Sequence, residues 1–212
     1  MATIFLICLL LLSTPIIGFA QPLSDEERKA IVDLANSSRK SFESEARDLI
    51  PSQLAYKPTT SAWTILQLIE HQALLDRAVL AIVQGLGKGT LAGDSPGNLL
   101  ADEAITSAFS TLGKPYPMLT GTEPNGSLGD DRKPFKAFVE ARKALLEYLK
   151  ETKDPLRARR TEGPVGKLDA YQWVIYLAAA TERNARELKG FKSLKSFPKA
   201  VVRPEAFNPY GG

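Results

Sequence analysis

Imidazole is the side chain best suited to act as acid, base or metal ligand near neutral pH, and this 212-residue sequence contains one, His71. The single cysteine, Cys8, falls in an apolar N-terminal stretch. Once that stretch is removed, neither a thiolate nucleophile nor a thiolate metal ligand is left. A Ser/His/Asp triad cannot be assembled from a histidine with no serine and acid placed beside it. Carboxylates are plentiful, but no spacing fixes two of them in a working geometry, and Glu70 and Asp76 read as solvated charges on a helix flank. Gly85-Leu86-Gly87-Lys88-Gly89-Thr90 has the glycines of a phosphate cradle without its order. It follows a helix rather than a strand, and Gly89 separates Lys88 from Thr90, so it reads as a connector. What remains is a polar residue on an apolar stripe. Trp173, Leu177, Ala180, Asn184 and Leu188 share one helical face, and Asn184 alone among them needs a hydrogen-bond partner in a core. His71 is the expected partner, at direct or one-water distance of roughly 3 to 6 Å. Trp173 and Tyr176 read as core packing.

The helix that carries Asn184 announces its own start. Asp169 followed by Gln172 is an N-cap with a reciprocal partner three residues on. His71 sits on a helix opened by Thr64 and Gln67 and running to about Val83, with Leu68, His71, Gln72, Leu75, Val79 and Ile82 inward; Gly85, Gly87 and Gly89 are expected to end it. A first helix starts at Ser24-Asp25-Glu26-Glu27 and ends at Pro51, burying Ile31, Leu34, Ala35, Phe42, Ala46 and Leu49. A third long helix takes Pro134 in its first turn and runs to about Thr152, with Phe135, Phe138, Val139, Leu145, Leu146 and Leu149 on its buried side. Between the second and third long helices, a short helix from about Asp102 to Leu112 is ended by Gly113 and the Pro115-Tyr116-Pro117 run, and Gly121 to Asp131 forms a loop. Arg157, Arg159 and Arg160 read as solvating the next connector. No strand run of adequate length is expected. Four long amphipathic helices with one long crossover make an all-α four-helix bundle.

With 44% apolar residues the chain can bury one core without disulfides, and a formal charge of +3 is too small and dispersed to point to nucleic acid. Met1 to Ala20 carries no charged side chain, has an apolar run from Ile4 to Leu12, and ends Gly18-Phe19-Ala20 before Gln21-Pro22. That is the pattern of a cleaved signal peptide, although an uncleaved anchor is the alternative. The expected organisation is a signal peptide at 1–20, a helical domain at 21–192 and an extended tail at 193–212. The expected location is secreted or periplasmic, with no integral membrane span after cleavage. Asn125-Gly126-Ser127 fits a glycosylation sequon on a loop, a motif common by chance.

Several stretches together resemble the DinB-like (damage-inducible, YfiT-like) four-helix-bundle superfamily. Ala62-Trp63-Thr64-Ile65 with Glu70-His71 is similar to the family's entry into its second helix. Phe138 to Arg142 with Leu145 is similar to its third, and Gly166-Lys167-Leu168-Asp169-Ala170-Tyr171-Gln172-Trp173 to its lead into the fourth. The resemblance implies a divalent metal held by one histidine on the second helix and two on the fourth, in a His-x-x-Arg-His pattern. His71 corresponds to the first ligand and Arg183 to the arginine, which puts Ala180 and Asn184 at the other two ligand positions. Ala180 has no donor atom, and an amide oxygen is a poor substitute for imidazole toward zinc or nickel.

The sequence therefore leads to an exported DinB-like bundle with a degenerate metal site, no metal and no cofactor, serving as a non-catalytic binding or structural module. Its expected pocket is formed by His71, Tyr176, Ala180, Asn184 and Glu187. The partner would be a small molecule or a protein, with a homodimer possible and nucleic acid excluded. The alternative is a metal-dependent hydrolase or thiol S-transferase that uses His71, Asn184 and Glu187, so enzymatic activity is left open.

Overall fold

The structure, a computed structural model, describes residues 21–94, 100–112 and 115–199; the leader at 1–20 and residues 200–212 of the tail lie outside them. In chain order the elements are α1 (Asp25–Ala46), α2 (Pro51–Leu54), α3 (Ile65–Lys88), α4 (Asp102–Ser107), α5 (Lys133–Glu151), β1 (Arg160–Gly163), β2 (Gly166–Asp169) and α6 (Ala170–Lys192). α1 and α3 each pack against both α5 and α6, which makes a four-cornered bundle in which the long 89–132 connection joins α3 to α5.

Three of the four long helices start at complete capping boxes. Ser24 with Glu27, Thr64 with Gln67, and Asp169 with Gln172 each accept from the N3 amide and receive the reciprocal side chain. Each box satisfies two of the orphan amides at the helix start, so the ends are set locally before any packing occurs. α5 has Pro134 in its first turn instead. The inward stripes form two apolar clusters. One is built around Trp173, Tyr176 and Leu177 of α6, the other around Phe42, Phe138 and Leu188.

Three expectations about the elements are corrected. α1 ends at Ala46 rather than at Pro51, which opens α2 instead, and Leu34 is exposed. Gly85 and Gly87 do not end α3, which continues to Lys88 and stops at Gly89, where φ is +71°. Gly87 is needed for contact rather than for a turn: a Cβ there would lie 2.5 Å from the Tyr148 hydroxyl and 3.1 Å from Asp154 Cβ, so its absence lets α3 approach α5. The connector before α6 is also not strandless. β1 and β2 form an antiparallel hairpin with Arg160 opposite Asp169 and Gly163 opposite Gly166. Four-residue strands closed by a Gly-Pro-Val-Gly turn are too short to give a periodic signal. Arg157 does not merely solvate this region. Its guanidinium lies 3.7 Å from the Tyr171 ring centroid and within ion-pair distance of Glu27, Asp102 and Asp169, tying the starts of α1, α4 and α6 together.

The bundle centre holds a buried ion pair. Arg142 of α5 and Asp76 of α3 are both 0% exposed, with Nε donating to Oδ1 at 2.5 Å and Nη2 to Oδ2 at 3.2 Å. Arg142 Nη1 also donates to the Ala35 carbonyl and Ser38 Oγ of α1, and Nη2 to Thr181 Oγ1 of α6, so one guanidinium reaches all four long helices. Removing either charge alone strands the other in a dry core. Arg142→Met is therefore expected to cost about 3–5 kcal/mol in urea unfolding, and Arg142→Met with Asp76→Leu to recover most of that loss.

Candidate functional site

α3 turns four polar side chains in sequence toward the protein interior, Glu70, His71, Gln72 and Asp76, all buried. Glu70 and Asp76 are thus not the solvated flank charges expected from the sequence. A helix can bury such a run only if every group finds a partner, and each does so in a different direction.

His71 and Glu70 hold the loop that follows α4. His71 Nδ1 lies 2.7 Å from the Thr122 carbonyl oxygen, and Nε2 lies 2.8 Å from the Tyr116 hydroxyl. A carbonyl can only accept, so the proton is on Nδ1. Burial lowers the pKa of the ring below the ordinary 6.5, so the neutral ring accepts at Nε2 from the Tyr116 O–H. The Glu70 carboxylate receives the Gly126 and Leu128 amides at 3.0 and 3.1 Å. From α6, Tyr176 donates its hydroxyl to the Pro117 carbonyl at 2.8 Å. The 116–128 segment is thereby strapped over α3 and α6 by three side chains, His71, Glu70 and Tyr176. Burial pushes the Tyr116 hydroxyl up to about 12, so it remains a phenol able to donate.

Gln72 and Asp76 fix Asn184. The Gln72 amide nitrogen donates to Asp76 Oδ2 at 2.7 Å and to Thr181 Oγ1 at 3.0 Å, whose own proton goes to the Leu177 carbonyl. That turns Gln72 Oε1 toward α6, where it accepts from Asn184 Nδ2 at 2.8 Å. The orientation of both amides follows from the Asp76 carboxylate, which can only accept. Asn184 Oδ1 is left buried with no hydrogen-bond partner in the protein.

The expected His71–Asn184 hydrogen bond is not made. Gln72 has taken the amide and Tyr116 the imidazole. Ala180, Tyr176, His71 and Asn184 are each 0% exposed, whereas Glu187 is part-exposed and receives Arg183 Nη1 at 2.6 Å. Of the five pocket residues expected from the sequence, Glu187 alone lines the open groove that the structure contains. This groove has a volume of about 1100 Å³ and lies between the 58–63 segment, the residues Leu112, Pro115 and Tyr116, and the second half of α6. Trp63, Leu68, Tyr116, Arg183, Arg186 and Glu187 define it. Tyr116 is the boundary, with its ring 4.3 Å from the Arg183 guanidinium on one side and its hydroxyl on His71 on the other. Trp63 stacks obliquely on His71, ring centroids 5.2 Å apart.

Arg142 and Tyr116 are the residues that reading the sequence passed over. Arg142 had a signal: it sits in the Phe138, Leu145 and Leu149 stripe of α5, where a charge has no business unless paired. Tyr116 had only its flanking prolines, which stiffen the loop without saying what the ring touches.

Protonation of His71 generates a pH dependence whose sign follows from its lowered pKa. The unfolded chain takes up this proton below about 6.5 while the folded chain does not. Stability is therefore full above 6.5 and is lost as the pH falls from there through the folded-state value. Chemical denaturation between about pH 7.5 and about pH 5 is expected to show the native protein losing stability more steeply than His71→Gln.

Residues 35–188 match the family model described as the DinB superfamily. No curated protein and no solved structure matches the chain.

Proposed function

The chain belongs to the DinB superfamily, and from that premise we propose that it is an exported, non-catalytic binding domain whose metal site has degenerated and whose ligand occupies the groove at Tyr116. The observation that carries this reading is the Tyr116 hydroxyl bonded to His71 Nε2, the nitrogen that a metal ion would need. The other donors fit no better. Ala180 offers a methyl group, Asn184 a neutral amide oxygen, and the Glu187 carboxylate is engaged by Arg183. Among the described residues no three His, Cys, Asp or Glu side chains are grouped so as to hold an ion. Open metal sites use three strong protein ligands, and one imidazole with a weak amide falls short.

The reading as a metal-dependent hydrolase or thiol S-transferase has one observation in its favour, the partnerless Asn184 Oδ1. To use it, Tyr116 would have to leave His71 and Glu187 would have to leave Arg183. Export is supported by the leader pattern of Met1 to Ala20, which lies outside the described residues, and no helix among the described residues is long and apolar enough to cross a membrane.

Metal analysis tests the site. The purified mature protein is expected to hold no stoichiometric zinc or nickel, and Tyr116→Phe combined with Ala180→His and Asn184→His to bind one equivalent. A stoichiometric ion in the native protein, lost on His71→Ala, would overturn the proposal. For export, the protein recovered from the secreted or envelope fraction is expected to begin at Gln21.

A further inference from the structure

We propose that the groove takes an amphipathic monoanion, a carboxylate on an apolar body; this rests on the groove being the ligand site. The walls are apolar. Trp63, Leu68 and Phe191 line the interior, and Leu112 and Leu194 stand on the groove at 43% exposure each, among the most exposed large apolar side chains described. Such a concentration in one concavity marks a surface that something apolar covers.

The charged part comes from α6. Arg183 and Arg186 face one carboxylate, Glu187, so the groove carries one net positive charge beside apolar walls. Arg183 is matched by Glu187. Arg186 is exposed and gives one bond from each Nη, to the Ser110 and Phe109 carbonyls at 3.2 and 2.8 Å. Those two bonds fix the guanidinium on the end of α4 and leave three of its five N–H donors for a ligand. A planar, held guanidinium at the edge of an apolar trough is suited to a carboxylate in a way that a mobile lysine is not.

The test uses the mature protein with decanoate, decanol and decyltrimethylammonium below their micellar concentrations, read by tryptophan fluorescence. Trp63 lies in the groove and Trp173 is 0% exposed in the core, so Trp63→Phe should abolish the response. Decanoate is expected to bind saturably, decanol about tenfold more weakly and the cation not measurably. Arg186→Met should bring decanoate down to the level of decanol and leave decanol unchanged. Glu187→Gln, which removes the opposing carboxylate, should tighten decanoate, and it provides the check should Arg186→Met fail to fold. Equal binding of the three compounds, or indifference of decanoate to both variants, would overturn the anion inference while leaving the groove as a site. Failure of all three compounds and of the neutral dye Nile red to bind would overturn the groove reading itself.

Discussion

Arg142 carries a permanent positive charge to a point with no water contact, and the rest of the bundle is arranged so that this is tolerable. Its five donors are distributed over Asp76, Ala35, Ser38 and Thr181, which belong to α3, α1 and α6, while Arg142 itself belongs to α5. A buried pair of this kind gains little over a well-packed apolar substitute, because desolvation of both ions offsets most of their attraction. What it supplies is selectivity among arrangements. Apolar stripes can slide along one another by a turn at modest cost, but a guanidinium with four designated acceptors fits one register of four helices. The capping boxes set where three of these helices begin, and the Arg142 network sets how they stand against one another.

The same network reaches the site. Asp76 accepts from Gln72, and Gln72 is thereby turned to accept from Asn184, the neighbour in sequence of the groove-lining Arg183. The orientation of the buried Asn184 amide is therefore determined through Gln72 by a carboxylate that never meets the groove. Because each link leaves the next group only one role, donor or acceptor, the chain transmits orientation without any movement of backbone.

Much of the bundle was legible because its determinants are local. Capping pairs three residues apart, stripes at helical spacing and a proline in a first turn are properties of single segments, and all three capping boxes lie where the sequence put them. What was not legible depended on contacts between segments. Gly87 looks like a helix stop until Tyr148 is seen against it. His71 and Asn184 were rightly marked as polar residues in a core, yet their partners were misassigned. Gln72 and Tyr116 could outcompete the expected pairing only because α3 and the 115–122 loop bring them there. Glu70 and Asp76 resembled surface charges because nothing in a single helix reveals that a loop amide or a distant arginine will meet them.

The proposed loss of the metal site follows the same logic of joints. In a bundle of this kind an ion bonded to two helices serves as a cross-link as well as a reagent, and its removal would leave one imidazole nitrogen and the facing side chains of α6 unsatisfied. Here each has been given another function. The imidazole holds a loop by both nitrogens, the amide at 184 is tied to Gln72, and the position at 180 is a buried methyl group packed in the core. A neutral phenol then occupies the junction between α3 and α6, with Arg183 lying against its ring and its hydroxyl on the imidazole. The same ring walls the groove, which carries an excess of guanidinium over carboxylate. On this view one residue, Tyr116, both closes the former metal position and shapes the site proposed for an anion.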